Sequence, residues 1–195
     1  SEMCIRDRIK RAEVALFGAP ASAENLDLLD PLHFVQKALA PKVAFITGAL
    51  EQVLLANPDL IIWADMLPLA DPELLLNWVK AGGTLVRFAG PRLAAANPAA
   101  LREDPLLPVV LRQGGRQLGG AMSWDQPKAI EPFALDGPFA GLTLPPDIRV
   151  RAQVLAQPSP DLAARVIARL QDGTPLITRK EAGSGQIVFW HITAN

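Results

Sequence analysis

The sequence predicts an α/β domain: a parallel, flavodoxin-like sheet with flanking helices, a Pro-rich strand-containing insertion and a C-terminal antiparallel β meander. Three observations lead there. Residues 58–91 form a strand–helix–strand unit, PDLIIWAD, then a capped helix, then AGGTLVRFAGP. Shorter strand-like and helix-like segments alternate ahead of it, at the spacing of βα units. After Gly90 the helical period disappears, and eleven of the eighteen prolines fall between Pro91 and Pro160. Regular alternation therefore stops at that point.

Residues 12–17 (AEVALF) are an apolar run ending at Gly18, a first strand. Asp30 and Pro31 predict a helix start, with Asp as N-cap and Pro at the first helical position. Leu32, Val35 and Leu39 then mark one face, with Phe34 and Ala38 beside it, and Pro41 ends the helix. Lys42 to Ile46 reads as a second strand. Thr47 is a suitable cap for a helix whose Leu50, Val53 and Leu54 share a side, stopping at Asn57-Pro58.

Leu60 to Trp63 is continuously apolar, the pattern of a strand buried on both faces. Asp71, Pro72 and Glu73 supply a cap, a first-turn proline and an acid near the positive end of the helix dipole. Leu74, Leu75, Trp78 and Val79 share the inner face, while Asn77 and Lys80 point outward. Gly82-Gly83 closes the helix, because a left-handed residue there favours glycine. Thr84 to Phe88 is the next strand. Such alternation implies right-handed crossovers and a sheet covered on both sides.

Residues 91–150 read as an irregular insertion packed on the sheet, since their Leu, Phe and Trp content is too high for a solvated linker. Val109–Arg112 and Gln117–Met122 flank Gly114-Gly115 and predict a hairpin. Val150 to Ala156 is a strand. DLAARVIARL, residues 161–170, suits a strand or a helix equally. Asp172-Gly173 turns into a strand from Pro175, and Gly183-Ser184-Gly185 turns into Gln186 to Thr193.

The 195 residues fit one domain, taken as 9–195. Net charge is −1 without a basic block, so neither nucleic acid nor an anionic membrane surface is an expected partner. Glu51, Asp59 or Asp65 interrupts every long apolar run, which excludes a spanning helix, and no apolar h-region follows the charged start. Residues 1–8, SEMCIRDR, resemble translated sequencing-adapter read-through. Cys4, the single cysteine, belongs to that octapeptide, so no thiol or disulfide chemistry is expected. QIVFWHIT reads as a core strand without a covering helix after it, as in an internal piece of a longer protein.

The PDLIIWAD strand, the helix closing at AGG, the TLVRFAG strand and the meander ARLQDGTPLITRKEAGSGQIVFWH resemble class I glutamine-amidotransferase-like domains. More closely, RFAGPRLA, LGGAMSWDQP and DGTPLITRKEAGSGQIVFWHITA resemble the middle region of large bacterial membrane proteins. Those carry an aerotolerance-regulator (BatA-like) N-terminal segment and a C-terminal domain of unknown function. The resemblance implies an inner-membrane protein anchored by another segment, with this module soluble and on the periplasmic side. Its partners would be other domains of the same chain and envelope proteins, in assembly or ligand sensing. Catalytic amidotransferases need a Cys at the strand–helix elbow, with a His and an acid behind it. Here Phe88, Ala89 and Gly90 stand at that point, so the module looks catalytically empty.

Four side chains nevertheless form a candidate binding set for a small polar solute, a saccharide or an anion: Asp65, Arg87, Arg92 and His191. Ligands of open α/β sheets bind beyond the carboxyl ends of the strands, where His191, Thr193 and Asn195 alternate on one side. The competing reading of His191 is a histidine bonded to backbone. A charge in TLVRF needs a partner or a ligand anion. Arg87 either pairs with Asp65, or a backbone-bonded arrangement holds, or the two share an anion with Arg92. A third reading is a hydrolase using Ser123 or Thr193. His33 has no second ligand at i+4, so no metal site is expected, and no cofactor is. GGRQLGG lacks the ending of a phosphate loop, and Gly183-Ser184-Gly185 precedes a strand, so both read as turns. Trp63, Trp78, Trp124 and Trp190 read mostly as core residues, with Trp124 in SWDQP the one candidate for stacking on a sugar.

Overall fold

The computed structural model describes residues 11–18, 32–112 and 121–194, with backbone alone for residues 121–125. Strands β1 (Ala12–Gly18), β2 (Val43–Ile46), β3 (Leu60–Ala64) and β4 (Thr84–Phe88) run parallel. Between them lie α1 (His33–Leu39), α2 (Leu50–Ala56) and α3 (Glu73–Lys80). After α4 (Pro91–Ala94) and α5 (Pro98–Glu103) comes a ribbon of β5 (Ala121–Ala129) and β6 (Arg149–Val154), paired antiparallel. One turn of helix, α6 (Leu162–Arg165), leads into β7 (Val166–Arg169), β8 (Pro175–Ala182) and β9 (Gly185–Trp190).

The main sheet has the order β2-β1-β3-β4-β9-β8-β7. β9 is parallel to β4 and antiparallel to β8. The five parallel strands thus follow the flavodoxin order, and the last two extend the sheet as the expected meander.

The apolar run of β3 is explained by its two faces. Ile61 and Trp63 pack with Val53, Leu75, Trp78 and Val79 beneath α2 and α3. Ile62 and Ala64 pack on the opposite side with Val14, Leu32, Val35 and Leu39 of the α1 side. Helix α3 has Pro72 as its N-cap, one residue after the expected Asp71, and Asp71 Oδ1 accepts the Glu73 amide at 3.1 Å. It ends at Gly82, whose φ of +126° excludes most side chains.

Several expectations need correction. Leu74 is 55% exposed, so the inner face of α3 is Leu75, Trp78 and Val79. The N-cap of α2 is Ala49, not Thr47, and Gln52 Oε1 accepts the Ala49 amide. Asp30, Pro31 and the GGRQLGG segment lie outside the described residues. The hairpin expected from 109–112 and 117–122 runs through residues 113–120, which lie outside the described residues. Leu111 bridges Ala156, and Met122 pairs with Gln153 in β6. Residues 161–170 divide between both readings. Asp161 and Arg165 form an i,i+4 ion pair across α6, and the β-branched Val166 and Ile167 enter the sheet. Among the described residues no helix is long and apolar enough to cross a membrane.

Candidate functional site

The carboxyl ends of β3, β4 and β9 meet where this fold binds ligands, and there β4 turns directly into α4 through Ala89 and Gly90. This is the expected strand–helix elbow, and it carries no nucleophile. The position of an anion above it is filled by the protein itself. Asp65 follows β3 with φ +52°, and its amide donates to Phe88 O at 3.1 Å. Its carboxylate accepts the backbone amides of Leu93 (2.9 Å) and Arg92 (3.3 Å), the first turn of α4. Gly90 makes this approach possible. A β-carbon there would stand 2.2 Å from Asp65 Cγ.

Arg87 does not pair with Asp65. It projects from β4 into the interior and is 1% exposed. Its Nη1 donates to Asp104 Oδ2 at 2.7 Å and to Leu106 O at 3.0 Å, and its Nη2 donates to Met66 O at 3.3 Å. The partner thus lies in the insertion just after α5. Asp104 in turn accepts the Leu106 amide at 2.9 Å. Lys180 donates to Pro105 O (2.9 Å) and Leu107 O (3.3 Å), and Arg165 donates to Pro108 O. Three cations from β4, α6 and β8 therefore grip four successive carbonyls of residues 105–108. Burial, then the neighbouring Arg165 charge, push the Lys180 pKa below its ordinary value.

His191 is fully buried. Its Nδ1 lies 2.7 Å from Val154 O and its Nε2 lies 3.1 Å from Thr178 Oγ1. A carbonyl only accepts, so Nδ1 carries the proton and Nε2 accepts from the Thr178 hydroxyl. Burial outweighs the Val154 hydrogen bond and lowers its pKa to about 4. The ring is therefore neutral at physiological pH, and it joins the β6 ribbon to β8. This matches the backbone-bonded reading of His191.

Of the four predicted residues, Asp65 and Arg92 meet, through the Arg92 amide; the Arg92 side chain is exposed. Arg87 and His191 are buried in separate networks. Thr193 is exposed, whereas Asn195 and the side chains of Ser123 and Trp124 lie outside the described residues. Gly183-Ser184 forms the tight turn between β8 and β9. Among the described residues no group of His, Cys, Asp and Glu is arranged to hold a metal ion. A cleft of about 610 Å³ opens elsewhere, against the segment 129–149 and Gln171. Asp104 and Lys180 were not singled out from sequence. The isolated Arg87 signalled only that a partner must exist.

Sheet order and elbow define an α/β protein of the flavodoxin type. No protein-family model matches the chain, and no curated protein matches it. Solved structures do. It is similar to the cytoplasmic protein STM3548 of Salmonella typhimurium, with TM-score 0.64 and 12% identity over 93% of this chain and 87% of that one. The cytoplasmic protein STM1381 of Salmonella typhimurium LT2 gives 0.62 and 12%, over 94% and 89%. A cold-adapted β-galactosidase of Rahnella sp. R3 gives 0.60 and 19%, over 94% of this chain but 29% of that enzyme. At these identities the likeness is one of fold.

Proposed function

We propose that this chain is a non-catalytic, amidotransferase-like module of a membrane-anchored bacterial envelope protein, acting in assembly or ligand sensing. One observation carries the reading: the Asp65 carboxylate occupies the amides of α4 above an elbow made of Ala89 and Gly90. An acyl-transfer site needs a nucleophile at the elbow and free amides to receive the developing oxyanion. Both positions are taken by groups that stabilise the fold. Membrane anchorage rests on the sequence resemblance and belongs to segments outside this chain.

The test has two arms. The chain without residues 1–8 is assayed for hydrolysis of glutamine, p-nitrophenyl acetate and a fluorogenic amide, and no turnover above background is expected. Turnover that Ser123→Ala or Thr193→Ala abolishes would overturn the non-catalytic reading. In the second arm, the complete reading frame is expressed with a tag in a bacterial host and its membranes are fractionated. Recovery in the inner-membrane fraction is expected, and recovery in the soluble fraction removes the anchorage.

A further inference from the structure

We propose that the cleft against residues 129–149 binds an apolar monocarboxylate, an alkyl chain or ring system ending in one carboxyl group. This is independent of the function proposed above, since Asp65, Arg87, Arg92 and His191 do not line the cleft. Its volume, about 610 Å³, is that of a small-molecule site. Its walls are apolar, and three of them stand in water: Leu135 is 94% exposed, Leu142 62% and Ile148 42%. Exposed apolar side chains grouped around one concavity mark a binding surface more than scattered ones do.

The charge of the cleft selects the ligand. Arg149 is the single charged side chain among the described lining residues, and none of these is a carboxylate. Its Nη1 donates to Pro146 O and Ile148 O, which pins the guanidinium to the loop. Both bonds use the same nitrogen. The other edge of the planar fork, Nε and Nη2, has the geometry that matches two carboxylate oxygens. Thr143 and Gln171 add neutral hydrogen-bonding groups. A sugar would leave the apolar walls unused, and an amine would face Arg149.

The site is also supported from behind. Ile130 bridges Leu170, with Glu131 N to Arg169 O at 2.9 Å and Gln171 N to Ala129 O at 3.0 Å, so this wall is continuous with the sheet edge. Phe133 packs on Phe139 (ring centroids 4.9 Å), and Phe139 packs edge-on against Trp190 of β9 (6.2 Å). A wall held this way costs little to order when a ligand arrives.

The experiment is calorimetric titration of the purified chain with decanoate, using decanol and decylammonium as its neutral and cationic counterparts. Saturable, equimolar decanoate binding is expected, about tenfold tighter than decanol, as a charge-assisted bidentate contact requires. Decylammonium should bind more weakly than either. Arg149→Gln should weaken decanoate about tenfold while leaving decanol unchanged, and Arg149→Lys should retain part of the difference. Leu142→Glu should abolish binding of both with the thermal melt unchanged, because that side chain is largely exposed. Absent decanoate binding, or decanol binding as tightly as decanoate, overturns the proposal. So does sedimentation as a dimer that Leu142→Glu dissociates, since the cleft would then be a contact between two copies.

Discussion

A neutral histidine with no exposed surface ties the stability of this protein to pH. The folded-state pKa of His191 is lowered to about 4, whereas the unfolded chain takes up its proton near the ordinary value. Between those limits the unfolded state binds more protons, so the contribution is complete at neutral pH and is lost as pH falls towards 4. Urea unfolding should show a loss of about 3 kcal/mol over that window from this group alone. His191→Gln should flatten the slope, and an unchanged slope would mean that other groups carry it. Gly90 gives a second residue-scale prediction. Gly90→Ala drives a β-carbon into the Asp65 carboxylate and should cost about 2 kcal/mol. Combined with Asp65→Ala it should cost less than the sum of the two, because the clash disappears with the carboxylate. Additive costs would show that the loop yields in another way. Neither role was legible in the sequence. Asp65 and Gly90 could be placed at strand ends, but their contact depends on a left-handed backbone at Asp65.

At the scale of elements, sequence was informative wherever the determinant was local. The continuous apolar run of β3, the α3 start near Asp71-Pro72 and the tight turn at Gly183 each depend on neighbours a few residues away, and each lies within a residue of where it is expected. The insertion was opaque for the opposite reason. Its anchor is the pair of Arg87 and Asp104, whose side chains are 2% and 1% exposed, joined by carbonyl contacts to residues 105–108. Asp104→Ala leaves a buried guanidinium without its carboxylate and should lower unfolding free energy by about 3–5 kcal/mol. Arg87→Met combined with Asp104→Leu should recover most of that loss, since no unpaired charge remains. Denaturant midpoints of the three proteins decide it. If the double variant is as weak as Asp104→Ala, the carbonyl contacts of Arg87 are the true anchor of the insertion.

For the whole molecule, β9 unites two halves that differ in strand direction. Its Ile187 and Phe189 are both fully buried, in the cores under α3 and under the insertion respectively. Far-ultraviolet circular dichroism and tryptophan fluorescence should therefore report one coincident unfolding transition, because neither half keeps its core without β9. Two separated transitions would show that the β7–β8 hairpin and the parallel sheet melt independently. The parallel layout was readable from the βα alternation, yet nothing near residues 185–190 revealed that their partner is β4. That pairing also orders events during synthesis. The growing chain displays the bare rim of β4 while the entire insertion and two further strands emerge, and the rim is sealed only on arrival of Gly185 to Trp190. A nascent chain stalled anywhere in that interval would offer any passing extended peptide an unguarded template.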